Sequence, residues 1–336
     1  MSVGVRDVQP NTYSIRYWQL TGQILAAEIG NPLKWLTGNF DLAFVIIYLL
    51  PLLLITLSFN VLSLEKELGT LPFLLSNGAI LRGIVVSKLG FRLAIAFGLI
   101  AVLTAIGMVT TGAGFSEKTV IWLLAAFLYA AFWLAAAWWV ASFQRNSAFN
   151  AMALLGVWLL LVVVLPSMVN LAASTFYPTS VRHSFTHEAR EKTDKLWEEF
   201  GKPAYQKSVL DDFHKKYPQL MRDTSKYNIE DKEFLAAYER YDTELIPLVK
   251  AYFEETSARD AFAQKASFLS PATLTQTIFN EVAETNWRHQ HHFLTELQAF
   301  HQQLKVHFLK KYMPISLFQR RIMPLFPASN INRWAV

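Results

Sequence analysis

Histidine is the residue type in this sequence that most invites a chemical interpretation, because imidazole binds metals and transfers protons near neutral pH. His183 and His187 are four residues apart, which places two side chains on one face of a helix, and three more histidines lie within residues 289–292. Neither group forms a metal motif: HEAR is not HExxH, and the first carboxylate at helical spacing from the cluster is Glu296. We interpret both groups as hydrated helix surfaces and predict no metal site.

Other catalytic signatures are missing from the sequence. The chain has no cysteine and no GxSxG element, so nothing points to nucleophilic catalysis. A phosphate-binding GxxxxGK[ST] motif is also missing, since Gly201-Lys202 is followed by proline and lacks the upstream glycine. We therefore predict that the chain has no catalytic residues, is not an enzyme, and binds no cofactor directly.

The distribution of charge indicates a membrane protein. Of the 336 residues 53% are apolar and 17% are charged, whereas a soluble domain carries about a quarter charged residues. Ionisable side chains are sparse between residues 42 and 181 and recur in almost every turn from Arg182 onward. The net charge of +5 comes without a basic stripe interleaved with aromatics, so nucleic acid is not an expected partner.

Four apolar stretches are long enough to cross the roughly 30 Å hydrocarbon layer as helices. They run from about Leu42 to Leu64, Leu89 to Thr111, Thr119 to Ser142 and Phe149 to Ala172. Two of them contain a proline, Pro51 and Pro166, and we expect kinks there whose freed carbonyls are satisfied by neighbouring groups. We interpret the four tryptophans of the third stretch as interface anchors and lipid-facing side chains; they are Trp122, Trp133, Trp138 and Trp139.

Short basic loops predict the orientation of these spans. The segment between the first two spans carries Lys66, Arg82, Lys88 and Arg92, and Arg145 lies between the last two spans. The positive-inside rule therefore places residues 65–88 and 143–148 in the cytoplasm. Residues 1–40 and the chain after about residue 172 are then extracytoplasmic, which in a bacterium means that residues 173–336 are mainly periplasmic and that the spans lie in the inner membrane.

The outer half has a helical pattern of apolar and charged residues. Ala189, Leu196 and Phe200 recur among charges, and Ser270-Pro271 is a strong helix start. The stretch after Pro271 is either one long helix or two helices broken near Thr285-Asn286. We predict an all-α membrane protein with an N-terminal segment (1–40), a four-helix transmembrane region (41–172), a helical extracytoplasmic domain (173–312) and a tail (313–336).

The first loop and its flanks resemble a known family. Residues 40–44 read FDLAF and lead into a span with Pro51; residues 65–71 read EKELGTL, and Lys88 stands at the entry to the second span. These features, together with the outer stretch that begins LSPATLTQTIFNEV, resemble permease subunits of type-2 ABC transporters. The closest subgroup carries a large helical periplasmic insert and includes permeases associated with gliding motility and nitrous-oxide reductase maturation.

The resemblance covers roughly residues 30–310 and implies a function. In this family the first loop docks on an ATPase subunit, which supplies ATP hydrolysis with Mg²⁺, and two permease copies or a pair of permeases line one pathway. The expected docking residues are Glu65, Glu67, Gly69, Thr70, Leu71, Phe73, Leu74, Arg82 and Lys88. Family members carry one span before and one after the matched region, so we expect this chain to lack the family's first and last spans.

Specific roles follow for the loop residues. Gly69 and Thr70 are expected to break and cap the chain below the first span. The apolar docking face is then expected to consist of Leu71, Phe73, Leu74 and Leu75, with polar contacts from Glu65, Glu67 and Arg82. An interfacial helix lying on the lipid headgroups is the alternative for the same segment. For the whole chain, the alternative to a permease is a membrane-anchored scaffold or binding protein with a helical periplasmic interaction domain.

Overall fold

Helices make up all of the regular structure that the computed structural model describes, which comprises residues 13, 15, 20, 21, 24, 41–78, 80–112, 114–177, 182–218 and 229–312. The helices are α1 (Leu42–Glu67), α2 (Leu71–Ser76), α3 (Leu81–Thr111), α4 (Glu117–Ala141), α5 (Ser147–Phe176), α6 (Arg182–Phe200), α7 (Pro203–Lys216), α8 (Ile229–Ala266), α9 (Pro271–Val282) and α10 (Trp287–Tyr312). The predicted tail 313–336 and most of the predicted segment 1–40 lie outside the described residues.

Four helices are long and apolar enough to span a membrane, as the sequence predicts: α1, α3, α4 and α5. The largest boundary difference is that α3 begins at Leu81 rather than Leu89. Large apolar side chains on α3 and α5 are exposed, among them Val102 and Leu171. Such surfaces are costly in water and cost little against lipid, so these faces fit a membrane-embedded protein.

Pro51 and Pro166 each follow a π-helical turn, over Val45–Leu49 in α1 and Leu159–Val164 in α5. Proline has no amide hydrogen, so a carbonyl one turn earlier loses its donor. The Tyr129 hydroxyl donates to the carbonyl oxygen of Ile47 at 2.8 Å. The Ser270 hydroxyl donates to the carbonyl oxygen of Leu161 at 2.5 Å. The expectation that neighbouring groups satisfy the carbonyls near both prolines is confirmed.

The centre of the first compact unit is α4. Small residues on this helix, including Ala126 and Ala130, are fully buried, which allows neighbouring backbones to approach closely. Trp122 and Trp133 are also buried, so the interpretation of all four tryptophans as interface or lipid-facing groups is wrong for these two. Their spacing of eleven residues, three helical turns, places them on the same packed face of α4.

The first unit also contains Val249–Leu294, which the sequence-based division assigned to the extracytoplasmic domain. Helix α9 lies within this stretch and packs on α4, with Phe279 fully buried. As expected, its N-cap is Ser270, whose hydroxyl accepts from the amides of Ala272 and Thr273. Of the two arrangements left open, the structure has two helices, α9 and α10, with Glu284 in the left-handed region at φ 55° between them.

The second unit takes in the described residues of Ser14–Leu25, Thr186–Leu248 and Thr295–Val336. Its apolar core is formed by Leu196, Val209, Phe213, Tyr217, Ala236 and Ala237. Beside this core lies a buried charge cluster in which Lys305 contacts both Glu239 and Asp242. Burial raises the pKa of Glu239, but the charges of Lys305 and Lys216 outweigh this effect and hold the pKa below its usual value.

Candidate docking surface

The predicted docking loop contains a short helix with an exposed apolar face. Helix α2 leaves Phe73 69% exposed and Leu75 43% exposed, and Leu68 just before it is 66% exposed. Leu71 and Leu74 are half-buried, and Leu71 packs against the core of the first unit. The helix is therefore attached by one side and presents a small apolar patch, which we define as Leu68, Phe73 and Leu75.

Gly69 and Pro72 explain how α2 forms. Gly69 has φ 70°, a left-handed conformation that glycine adopts without steric cost and that ends α1. Pro72 lies in the first turn of α2, where its missing amide costs nothing. Thr70 occupies the N-cap position of α2 as predicted, but its side chain does not cap the helix, because its hydroxyl donates to Glu65 at 2.5 Å.

Glu65 joins the end of α1 to Lys88, about two turns inside α3. Its carboxylate accepts from the Lys88 ammonium at 2.6 Å as well as from Thr70, and Lys88 also donates to the carbonyl of Val61 at 3.3 Å. Both charged side chains are partly buried. Solvent screens the attraction within a partly buried ion pair less than within an exposed one, so this contact holds α1 and α3 together.

Glu67 joins the end of α1 to the start of α5. Its two carboxylate oxygens accept from the backbone amide of Ser147 at 2.7 Å and from the Ser147 hydroxyl at 2.9 Å. The Ser147 hydroxyl also lies 2.8 Å from that of Ser63. A carboxylate at a helix N-terminus satisfies a free amide and interacts favourably with the helix dipole. Asn146 completes this helix start by accepting from the amide of Phe149.

A third contact brings the two predicted cytoplasmic loops together. Lys66 donates to the backbone carbonyl of Gln144 at 3.0 Å, and Gln144 has the left-handed φ of 54° that turns this carbonyl toward it. Arg82 is exposed. The sequence reasoning missed Gln144 and Ser147, although the Asn-Ser pair at residues 146–147 is a helix-start signature that marks where a carboxylate binds well.

Five of the nine predicted docking residues fall into two groups. The Glu65, Glu67 and Lys88 side chains bind other parts of the same chain, so they position the loop. The Phe73 and Arg82 side chains are exposed, and within the described part of the chain they do not bind another segment in the way that the first group does. The docking assignment of these residues remains a prediction, and the exposed group is where an external partner has access.

The histidines take no part in a shared site among the described side chains. His291 packs edge-on against Phe253 and stacks with Trp287, and His289 lies 2.6 Å from the side-chain oxygen of Asn286. The side chain of His183 lies outside the described residues. No group of three His, Asp or Glu side chains in the described ranges is arranged to hold a metal ion.

A polar groove of about 280 Å³ lies in the second unit. Lys192, Arg240 and Glu244 line it together with two tyrosines. Its charges pair with one another, because Glu244 lies 3.7 Å from the Lys192 ammonium and 3.4 Å from Arg240. The groove is therefore a solvated surface in which Lys192 and Arg240 share the Glu244 carboxylate.

Comparison with known proteins gives one match. A family model described as a domain of unknown function (DUF3526) matches residues 186–322. This region begins at Thr186, where the second unit's stretch Thr186–Leu248 also begins, and it includes helices α7 to α10. No curated protein and no solved structure matches the chain.

Proposed function

We propose that this chain is a permease subunit of an ABC-type transport complex in a bacterial cytoplasmic membrane. A partner ATPase hydrolyses ATP with Mg²⁺, and the permease converts that event into transport or mechanical work. The observation that supports this proposal best is the exposed patch of Leu68, Phe73 and Leu75 on a loop tied to three candidate spans. The resemblance of residues 65–71 to the permease loop gives the patch its proposed partner.

The tethering of the loop is what a mechanical role requires. Closure of an ATPase dimer does work on the spans only if the element it pushes is fixed to them. Glu65 and Lys88 connect α1 to α3, and Glu67 and Ser147 connect α1 to α5. The Thr70 hydroxyl at the start of α2 donates to Glu65, so a displacement of α2 would act through the end of α1 on three spans together.

The remaining parts of the proposal follow the same resemblance. A second permease copy, or a related permease, completes the pathway, and lipid surrounds the exposed faces of α3 and α5. The loop 65–88 faces the cytoplasm, and residues 173–336 are mainly periplasmic. The charge of Lys66, Arg82 and Lys88 on this loop supports that orientation.

Affinity purification from native membranes tests the proposal. The bait is the full chain in mild detergent, compared with Phe73→Glu, which places a charge in the patch without touching Glu65 or Glu67. The matched control is Phe115→Glu, because Phe115 is 74% exposed and lies on the loop at the opposite end of the spans. An ABC ATPase should elute with the wild type and with Phe115→Glu, and should be lost with Phe73→Glu.

Other outcomes reject the proposal. If no ATPase elutes with the wild type, the chain is better described as a membrane-anchored scaffold with a helical interaction domain. If an ATPase elutes equally with all three proteins, α2 is not the docking element and is better described as an interfacial helix.

A further inference from the structure

Helix α9 begins at the level of the middle of α5. The Ser270 hydroxyl donates to the carbonyl of Leu161 at 2.5 Å. Leu161 is the fifteenth of the thirty residues of Ser147–Phe176. At about 1.5 Å per residue it lies roughly 20 Å from either end of that helix. Because α5 is a candidate span, Ser270 lies near mid-membrane depth.

The other end of this segment lies at the end of a second span. Glu284 pairs with Lys118 at 2.5 Å, and Lys118 is the second residue of α4. One turn further along, Phe279 stacks on Trp122 with 3.8 Å between ring centroids. These pairs show that α9 runs antiparallel to α4, with Glu284 at the level of the outer end of that span.

Two independent lengths agree on this depth. From Ser270 to Glu284 there are fourteen residues, or about 21 Å of helix. From Leu161 to Phe176, the end of α5, there are fifteen residues, or about 22 Å. The segment Ser270–Glu284 therefore runs along α4 from the middle of the spans to their outer end, over half of the membrane thickness.

The chemistry of the segment fits such a position. Residues 266–280 contain no acidic, basic or histidine side chain. Every hydroxyl between residues 267 and 277 donates to a backbone carbonyl; the donors are Ser267, Ser270, Thr273, Thr275 and Thr277. The Gln276 amide likewise donates to the side-chain oxygen of Asn280 at 2.8 Å. In hydrocarbon no water is present to satisfy polar groups, so such internal pairing is required there.

Phe268 and Leu269 stand exposed at the inner tip of this segment. They are 78% and 62% exposed, whereas Ser270 beside them is buried. At mid-membrane depth the surrounding medium is lipid acyl chains. We propose that residues 267–282 are embedded in the membrane as a half-spanning segment and that Phe268 and Leu269 bind phospholipid acyl chains. This inference does not depend on the partner ATPase.

The native sequence makes a direct test possible, since it contains no cysteine. The full chain with Phe268→Cys or Leu269→Cys is labelled with a nitroxide and reconstituted into phosphatidylcholine vesicles. Electron paramagnetic resonance then measures collision with oxygen, which concentrates in hydrocarbon, and with a water-soluble nickel chelate. Val102→Cys, on the exposed face of α3, is the lipid reference, and Asp212→Cys, on the surface of α7, is the water reference.

The proposal predicts that both tip positions behave like the lipid reference. Their oxygen-to-nickel collision ratio should exceed that of Asp212→Cys by about tenfold or more, because the charged chelate is excluded from hydrocarbon. Glu281→Cys, at the other end of α9, should give an intermediate ratio. A ratio at Phe268→Cys and Leu269→Cys equal to the water reference overturns the proposal. Low collision with both reagents also overturns it, since that pattern indicates contact with protein. Both native side chains are exposed, so neither substitution removes core packing.

Discussion

Replacement of Lys305 by methionine should strongly lower the free energy of unfolding of the second unit. The Lys305 side chain is 1% exposed and binds Glu239 at 3.1 Å and also Asp242. Methionine preserves much of the volume but removes the charge, so two carboxylates remain buried with less compensation. Breaking a buried ion pair by removing one partner costs about 3–5 kcal/mol. Lys216 still binds Glu239 at 2.5 Å, which places the expected cost at the lower end, about 3 kcal/mol.

Hydrogen–deuterium exchange with mass spectrometry on the full chain measures this cost locally. A change of about 1.4 kcal/mol is a factor of ten. Where the opening equilibrium governs exchange, a loss of about 3 kcal/mol accelerates it roughly a hundredfold in peptides around residues 235–245 and 300–308. The matched control is Lys195→Met, because Lys195 is 66% exposed and pairs with Glu191 within one helix turn. Exposed pairs of this kind contribute little, so the control should exchange like the wild type.

A neutral triple variant separates charge from packing. Lys305→Met combined with Glu239→Gln and Asp242→Asn removes all three charges while keeping similar volumes, and it should recover much of the lost protection. If the amide exchange rates of Lys305→Met in these peptides stay within a few-fold of the wild-type rates, the reasoning is refuted. The same conclusion follows if the triple variant is no more protected than the single one, because packing and not charge would then explain the loss.

Three further predictions concern other parts of the molecule. Tyr129→Phe leaves the Ile47 carbonyl without its buried donor and should lower the thermal midpoint of the detergent-solubilised protein by the equivalent of about 1 kcal/mol. Glu67→Ala removes the acceptor for the Ser147 amide, and loss of about 1 kcal/mol at this helix start should speed amide exchange there about fivefold. Because the pKa of Glu239 is lowered in the folded state, its stabilising contribution is present above the unfolded pKa of about 4.5 and is lost as pH falls through the lower folded pKa. Protection of the second unit's backbone amides from hydrogen exchange should therefore be constant from pH 7 to 5 and should decline in more acidic solution.

The four candidate spans were predictable because the bilayer imposes a simple rule on sequence. Twenty or so apolar residues in a helix satisfy all backbone groups without outside help, and the four stretches follow that rule. Pro51 and Pro166 could be recognised as breaks in the hydrogen-bond ladder, since proline lacks the donor. The identity of the compensating donors was not predictable, because Tyr129 and Ser270 are distant in sequence from the carbonyls they bind.

The position of α9 escaped the sequence reasoning for a physical reason. Twelve residues are too few to register as a span, and the threonines and Gln276 lower the apolar character of the stretch. Their polarity is cancelled by hydrogen bonds within the helix, which a residue-by-residue reading of hydropathy does not count. The aromatic pair of Trp122 and Phe279 likewise becomes visible only once both helices are placed.

The predicted docking loop shows the same limit. Charged residues next to an apolar turn were interpreted as contacts offered to a partner, because sequence alone does not reveal internal partners. In the structure Glu65 accepts a hydrogen bond from Lys88 and Glu67 accepts one from Ser147, while Phe73 is exposed. Substitutions at the two glutamates would therefore disturb the loop itself, and Phe73 is the better probe of an external contact.

Photo-crosslinking from residue 73 in native membranes tests the central claim most directly. A benzophenone amino acid replaces Phe73 in one full-length protein and Phe115 in another, and both are irradiated before solubilisation. The proposed permease function predicts an adduct with an ABC ATPase from position 73 and none from position 115. An adduct with lipid alone at position 73, or ATPase adducts of equal yield from both positions, would contradict it.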